Sequence, residues 1–283
     1  MRSPQIHKEA PFVPGSGGVV LSPRRPPGRP PGPTSRTPLP ASLLRTYYDN
    51  GTLDFVAVRW RGSRADALSW ARGVSKGPEG GGTLNRSYTA WSPEPPPELD
   101  PAAWLPVFLD GLREYDEPYR FLAIRGSEEL LLRAGENLHA FADSLVVPLK
   151  AALDTREPTT VAVALQLMLM ALSVDPRVAR EWVPAYWQFA QVLNLFYARG
   201  GGLRVDMGYN RHAVATCRQL ATDFMVAFEL SGGPAATAAV RRYSPGADPA
   251  VTDASMARAA SKAAVKAVEA GLEPGTFKPF TLF

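Results

Sequence analysis

Cysteine is almost missing from this chain of 283 residues, Cys217 being the only one. A lone thiol excludes an intrachain disulfide and any cluster of cysteine ligands for a metal, and it suits a reducing compartment. Histidine is nearly as scarce, with only His7, His139 and His212. His139 and Asp143 have helical spacing, but two ligands do not make a zinc site, so neither metal nor cofactor is expected. Long apolar runs are lacking too. The longest, Val161 to Leu172, is interrupted by Gln166 and falls well short of the roughly 20 residues a spanning helix needs. No membrane span or membrane partner is expected. The amino terminus, MRSPQIHKEAPFVPG, has no continuous apolar stretch, and its prolines and Glu9 do not suit an amphipathic transit helix. The protein is expected to stay where it is made.

What charge there is lies unevenly. The chain carries a net +4 and a sequence pI near 9.3. Residues 1–40 hold Arg2, Lys8, Arg24, Arg25, Arg29 and Arg36 against Glu9 alone, an excess that leaves the remainder slightly acidic. The basic pI therefore describes a tail, and a folded nucleic-acid-binding face is not expected. That tail, with SPRRPPGRPPGPTSRTPLP at its centre, is proline-dense and reads as a disordered basic segment favouring polyproline II. Arg24, Pro27 and Pro30 fit an RxxPxxP pattern for an SH3 groove. The same arginines suit any polyanion, nucleic-acid phosphates or the acidic surface of tubulin alike, and charge alone does not choose.

Folding is expected from about Ala41. Ser42 is placed to cap a short helix through Leu43, Leu44, Tyr47 and Tyr48, which Asn50-Gly51 ends. Asp54 to Trp60 and Ala67 to Trp70 are β-prone and flank the polar turn Gly62-Ser63-Arg64, which predicts a small β-hairpin. Residues 75–97 read as a Gly/Pro-rich insertion without periodicity. Asp100-Pro101 then opens a helix, because the carboxylate can accept an orphan N–H and proline is tolerated at the first helical position. This helix buries Leu105, Phe108, Leu109 and Leu112. Leu138, Phe141, Ala142, Leu145, Leu149, Ala152 and Leu153 form the next stripe, with a bend expected at Pro148. Thr159 to Ser173 is apolar almost all the way round, as expected of a helix covered on several sides, and Asp175-Pro176 stops it. Phe189, Val192, Leu193 and Phe196 mark a fourth stripe. Cys217, Leu220, Ala221, Phe224 and Phe228 mark a fifth, closed by Gly232-Gly233-Pro234.

The pair 137–154 with 158–173 precedes the pair 185–199 with 210–230, at an offset of roughly forty residues. That spacing predicts an all-α fold, a HEAT/armadillo-like α-solenoid of stacked helix pairs, with the hairpin ahead of the first pair. Three domains follow: the tail 1–40, a helical-repeat domain 41–244 with its insertion at 75–97, and an Ala-rich extension 245–283. Asp253 to Ala270 in that extension predicts a helix with Arg258, Lys262 and Lys266 at i, i+4 and i+8, either a basic docking stripe or simply a solvated face. Catalytic readings are weaker. Asp110 and Glu114, at i and i+4, suggest an acid/base pair, but a solvated or partner-facing acidic patch explains them more simply. Cys217 falls in an apolar stripe, where a small buried hydrophobe is the default. Gly80-Gly81-Gly82 and Gly200-Gly201-Gly202 lack both the P-loop ending and GxGxxG spacing.

One stretch is more distinctive. In Trp104 to Gly126, WLPVFLDGLREYDEPYRFLAIRG, the residues Leu105, Pro106, Phe108, Asp110, Gly111, Leu112, Glu114, Pro118, Tyr119, Phe121, Ala123 and Gly126 fill an "LPxFFDGL" helix running into "E-PY-F-A--G". This resembles the parkin co-regulated (PACRG) family, of which the chain looks like a divergent member or paralogue. LVVPLKAALDTREPTTVAVALQLM and WVPAYWQFAQVLNLF continue the likeness, which runs from about Ser42 to Tyr243. The resemblance implies a non-enzymatic structural protein of the cilium or flagellum axoneme, with a cytoplasmic pool. It implies binding to α/β-tubulin of the doublet microtubule at the inner junction, where the B-tubule closes onto the A-tubule beside a small β-sandwich protein. On that reading Arg24, Arg25, Arg29, Arg36, Arg258, Lys262 and Lys266 are candidate tubulin contacts. The alternative is a cytosolic scaffold whose tail recruits an SH3-type partner.

Overall fold

A computed structural model describes residues 41–71, 91–197 and 211–245. The seven candidate tubulin contacts, the RxxPxxP segment and both triple-glycine runs lie outside these residues. Within them the fold is mostly helical, with one three-stranded antiparallel sheet whose strands lie side by side in chain order. The hairpin expected beside the helices is therefore present, and the all-α expectation is corrected by one further strand. The chain divides into two compact units, one running to Ala134 and including Val147–Ala152, the other comprising Gly135–Val146 and everything from Leu153.

The first unit opens with α1 (Leu43–Asp49), capped by the Ser42 hydroxyl, which accepts the Arg45 N–H at 3.1 Å. β1 (Val56–Arg61) and β2 (Arg64–Ala71) pair through the two-residue turn Gly62-Ser63. Gly62 sits at φ +65°, a left-handed value open to glycine without steric cost. Arg64, expected in the turn, belongs to β2. β3 (Trp91–Ser92) pairs Ser92 with Trp70 and Trp91 with Ala71, so the expected insertion contains a strand. α2 (Pro101–Asp110) starts as its sequence dictates, the Asp100 carboxylate accepting the Ala102 N–H at 3.0 Å with proline in the first turn. After a 3-10 turn over Gly111–Arg113 comes α3 (Tyr119–Ala134), which packs along α2. Aromatic rings join the sheet to the helices. Phe55 meets Trp70 and Trp104 at centroid distances of 6.2 and 4.7 Å, and Trp70 meets Phe108 at 5.7 Å. All four are essentially buried, each contributing on the order of 1.5–3 kcal/mol.

The second unit differs from the expected pairs. The predicted helix over 137–154 is a 3-10 segment, Gly135–Leu145, broken at Phe141 (φ −129°, ψ 17°), and then α4 (Val146–Asp154), whose residues Val147–Ala152 belong to the first unit. The bend expected at Pro148 is therefore at Phe141. Pro148 falls in the first turn of α4, where backbone N–H groups lack intrahelical partners in any case. α5 (Pro158–Val174) is capped by Glu157, which accepts the Thr160 N–H at 2.8 Å, and it stops at Asp175 as expected. α6 (Val178–Trp182) and α9 (Pro234–Tyr243) add to the expected α7 (Tyr186–Tyr197) and α8 (Arg211–Gly232). α5 packs chiefly against α8, and α9 lies on α7 and α8. The Trp182 indole donates to the Ala142 carbonyl at 2.9 Å, and Tyr186 stacks on Phe228 at 5.0 Å.

Candidate functional site

The motif residues converge inside the first unit, where they hold α1. At the end of α2 the Asp110 carboxylate accepts the Leu43 N–H at 2.7 Å and the Arg113 guanidinium at 3.1 Å. Glu114, 9 % exposed, uses both oxygens, accepting the Ser42 N–H at 2.9 Å and the Arg45 guanidinium at 3.3 Å. The first N–H groups of a helix have no intrahelical partner, and their partial positive charge favours an anion. Two carboxylates from about seventy residues downstream serve them here. Asp110 ends a helix, whereas Glu114 follows the 3-10 turn in extended backbone (φ −78°, ψ 146°). The shared helix face that made an acid/base pair imaginable is thus absent, and the solvated or partner-facing acidic patch preferred to it is corrected, since both carboxylates are engaged by α1.

The rest of the motif completes this clamp. The Tyr119 hydroxyl donates to Asp49 at the far end of α1, at 2.6 Å, while the Arg45 guanidinium lies 4.8 Å from the Tyr119 ring centroid. Burial, reinforced by Asp49, pushes the Tyr119 phenol well above its ordinary value. The two motif glycines are there for proximity. A Cβ on Gly111 would stand 2.2 Å from Leu44 Cδ2, and one on Gly126 would stand 2.2 Å from Phe108 Cδ1. They let α1 close onto α2, and α2 onto α3. Leu112 and Pro118 are buried and Phe121 half-buried; the Glu117–Pro118 peptide is cis.

A second buried contact was not foreseen. The Trp70 indole of β2 donates to the Glu129 carboxylate of α3 at 2.5 Å, and Arg125 reaches Glu129 at 3.4 Å while binding Glu128 at 2.7 Å. Burial pushes the Glu129 carboxyl up to about 7, with nearby Glu128 and Glu94 adding to the rise against the pull of Trp70 and Arg125. Only the i, i+3 and i+4 spacing of Arg125, Glu128 and Glu129 could have signalled it.

The other candidates resolve into structural roles. The His139 backbone N–H and Nδ1 lie 3.0 and 2.8 Å from the buried Asp175, which Arg177 also holds at 2.9 Å, while Asp143 is exposed. Burial pulls the Asp175 carboxyl upward, but the hydrogen bonds from Arg177 and His139 outweigh it and hold it below the usual range. Among the described residues no group of three or more metal-binding side chains gathers, and no helix is long and apolar enough to cross a membrane. Cys217 is fully buried, its thiol donating to the Pro158 carbonyl at 3.0 Å, and burial pushes it up to about 12. A shallow cleft lined by Arg180, Val183, Pro184 and residues 232–235 holds one charged side chain and therefore no acid/base pair.

The fold and this clamp define a predominantly helical protein in which the conspicuous carboxylates serve as capping and packing elements. Residues 81–246 match the family model of the parkin co-regulated protein, which is more than half of the chain, and the chain belongs to that family. It is also 24% identical over 196 residues to the parkin coregulated gene protein homolog of Mus musculus, covering 69% of this chain and 71% of that relative.

Proposed function

We propose that this protein is a non-enzymatic structural component of ciliary doublet microtubules. It binds tubulin at the inner junction and helps close the B-tubule onto the A-tubule, with a small β-sandwich protein as neighbour. Membership of the parkin co-regulated family carries the reading, and the occupation of Asp110 and Glu114 by α1 removes the best acid/base candidate that the sequence offered. On this proposal the helix pairs stack as a HEAT/armadillo-like solenoid, because one pair cannot bury its apolar face alone. The resulting extended wall lies along tubulin, and the arginines of residues 1–40 add long-range attraction to its acidic surface.

Two measurements test this. Tagged protein is expected in isolated, detergent-stripped axonemes and in the doublet fraction after salt extraction; confinement to the soluble cytosol sinks the proposal. The full chain is expected to pellet with taxol-stabilised microtubules, and a chain lacking residues 1–40 to pellet less well. Undiminished pelleting refutes the role given to those residues.

A further inference from the structure

We propose that the tip of the β1–β2 hairpin is a docking finger for an acidic protein surface. Burial stops midway along β1. Val56, Ala57 and Val58 are buried, but Arg59, Arg61, Gly62, Ser63, Arg64 and Asp66 are exposed and Trp60 is half-buried. The tip therefore carries three exposed guanidiniums against one carboxylate. Arg59 pairs with Asp66 at 3.2 Å and Arg64 is near enough to Glu117 to favour its charged form, while neither Arg61 nor Arg64 comes within ion-pair distance of a carboxylate among the described residues. Elsewhere in this unit many charges are paired internally. Asp49, Asp110, Glu114, Asp116, Glu128 and Glu129 all engage Arg45, Arg113 or Arg125.

Geometry selects the kind of partner. β1 has β2 on one side and no strand on the other among the described residues, yet the register shift between Arg59 and Trp60 and the arginines at the edge disfavour addition of another strand. Contact is then through side chains, and arginine forks suit carboxylates in pairs. Duplex nucleic acid presents a charge about every 1.7 Å along its axis and rewards an extended basic face. The described residues of this unit instead carry nine basic against twelve acidic side chains, a net negative balance against which the three clustered arginines of the finger stand out. A local, glutamate-rich patch on a protein fits that distribution. If the microtubule reading above holds, the patch belongs to tubulin; the finger itself needs only an acidic partner.

Cys217 is buried, so Ser63→Cys in the full chain offers one accessible thiol at the tip for an environment-sensitive dye. The labelled protein is titrated with a glutamate-rich peptide, its glutamine counterpart and an oligonucleotide of equal charge. The glutamate peptide is expected to give a saturable response that weakens with salt and shifts about tenfold in affinity in Arg61→Glu/Arg64→Glu, while the glutamine peptide gives none. No response, an equal response in the double variant, or tighter binding of the oligonucleotide overturns the proposal. Circular dichroism of the double variant checks that it folds. The same protein with microtubules separates the two readings. Pelleting without a dye response leaves the microtubule reading standing and removes the finger, whereas a peptide response without pelleting does the reverse.

Discussion

Replacing Glu129 by glutamine tests the link between sheet and helix through its dependence on pH. The side chain is 16% exposed, shares Arg125 with Glu128, and receives the Trp70 indole N–H at 2.5 Å. Because its carboxyl is pushed from 4.5 up to about 7, the folded chain keeps a proton that the unfolded chain releases. The unfolded state binds fewer protons between those values, so stability falls as pH rises through them. The contribution is fully present below about pH 4.5 and lost above about 7. A shift of this size corresponds to about 3 kcal/mol at 1.36 kcal/mol per unit, an order of magnitude that partial exposure reduces toward 2. Glu129→Gln retains an oxygen for the indole and removes the charge, so it should match the parent near pH 4.5 and exceed it by about 2–3 kcal/mol at pH 8. Urea unfolding at both pH values and constant salt, followed by circular dichroism, measures the difference. Subtracting variant from parent cancels the other titrating groups. An identical difference at both pH values refutes the reasoning.

Gly126→Ala drives a methyl group into the buried Phe108 ring and should cost about 1–3 kcal/mol in urea unfolding; a neutral result shows that α2 and α3 separate easily. Glu114→Ala strands the Ser42 N–H and the Arg45 guanidinium and should cost about 1–3 kcal/mol. Its hydrogen-exchange protection should fall at residues 43–50 and stay unchanged in α5, so equal protection at 43–50 contradicts the clamp. The Cys217 thiol, raised from 9.0 to about 12, holds about a thousandfold less thiolate than an exposed one. It should ignore a disulfide reagent at pH 8 until urea unfolds the chain; rapid native labelling disproves its burial.

Much of the helical framework was legible because it is written locally. Ser42, the Asp100-Pro101 step and the Asp175 stop act within a few residues of themselves, and α5 announces its burial by being apolar on every side. α3 was not seen, because Arg125, Gly126, Ser127, Glu128 and Glu129 dilute its stripe even though Leu122, Leu130 and Leu131 are fully buried. β3 is two residues long and exists only through its pairing with β2. The break at Phe141 has no proline or glycine to mark it. The motif itself was recognised, but its role was hidden, because the groups that Asp110 and Glu114 grip are backbone N–H groups about seventy residues earlier. Every residue except proline contributes the same amide N–H, so no pattern of side chains points to such a partner.

That choice of partner leaves an asymmetry in what the chain can tolerate. The carboxylates grasp main chain at Ser42 and Leu43, so the half-exposed Leu43 side chain is free to drift through substitution without loosening the hold. Asp110 and Glu114 have no such latitude, since each amide is held through one of these carboxylates.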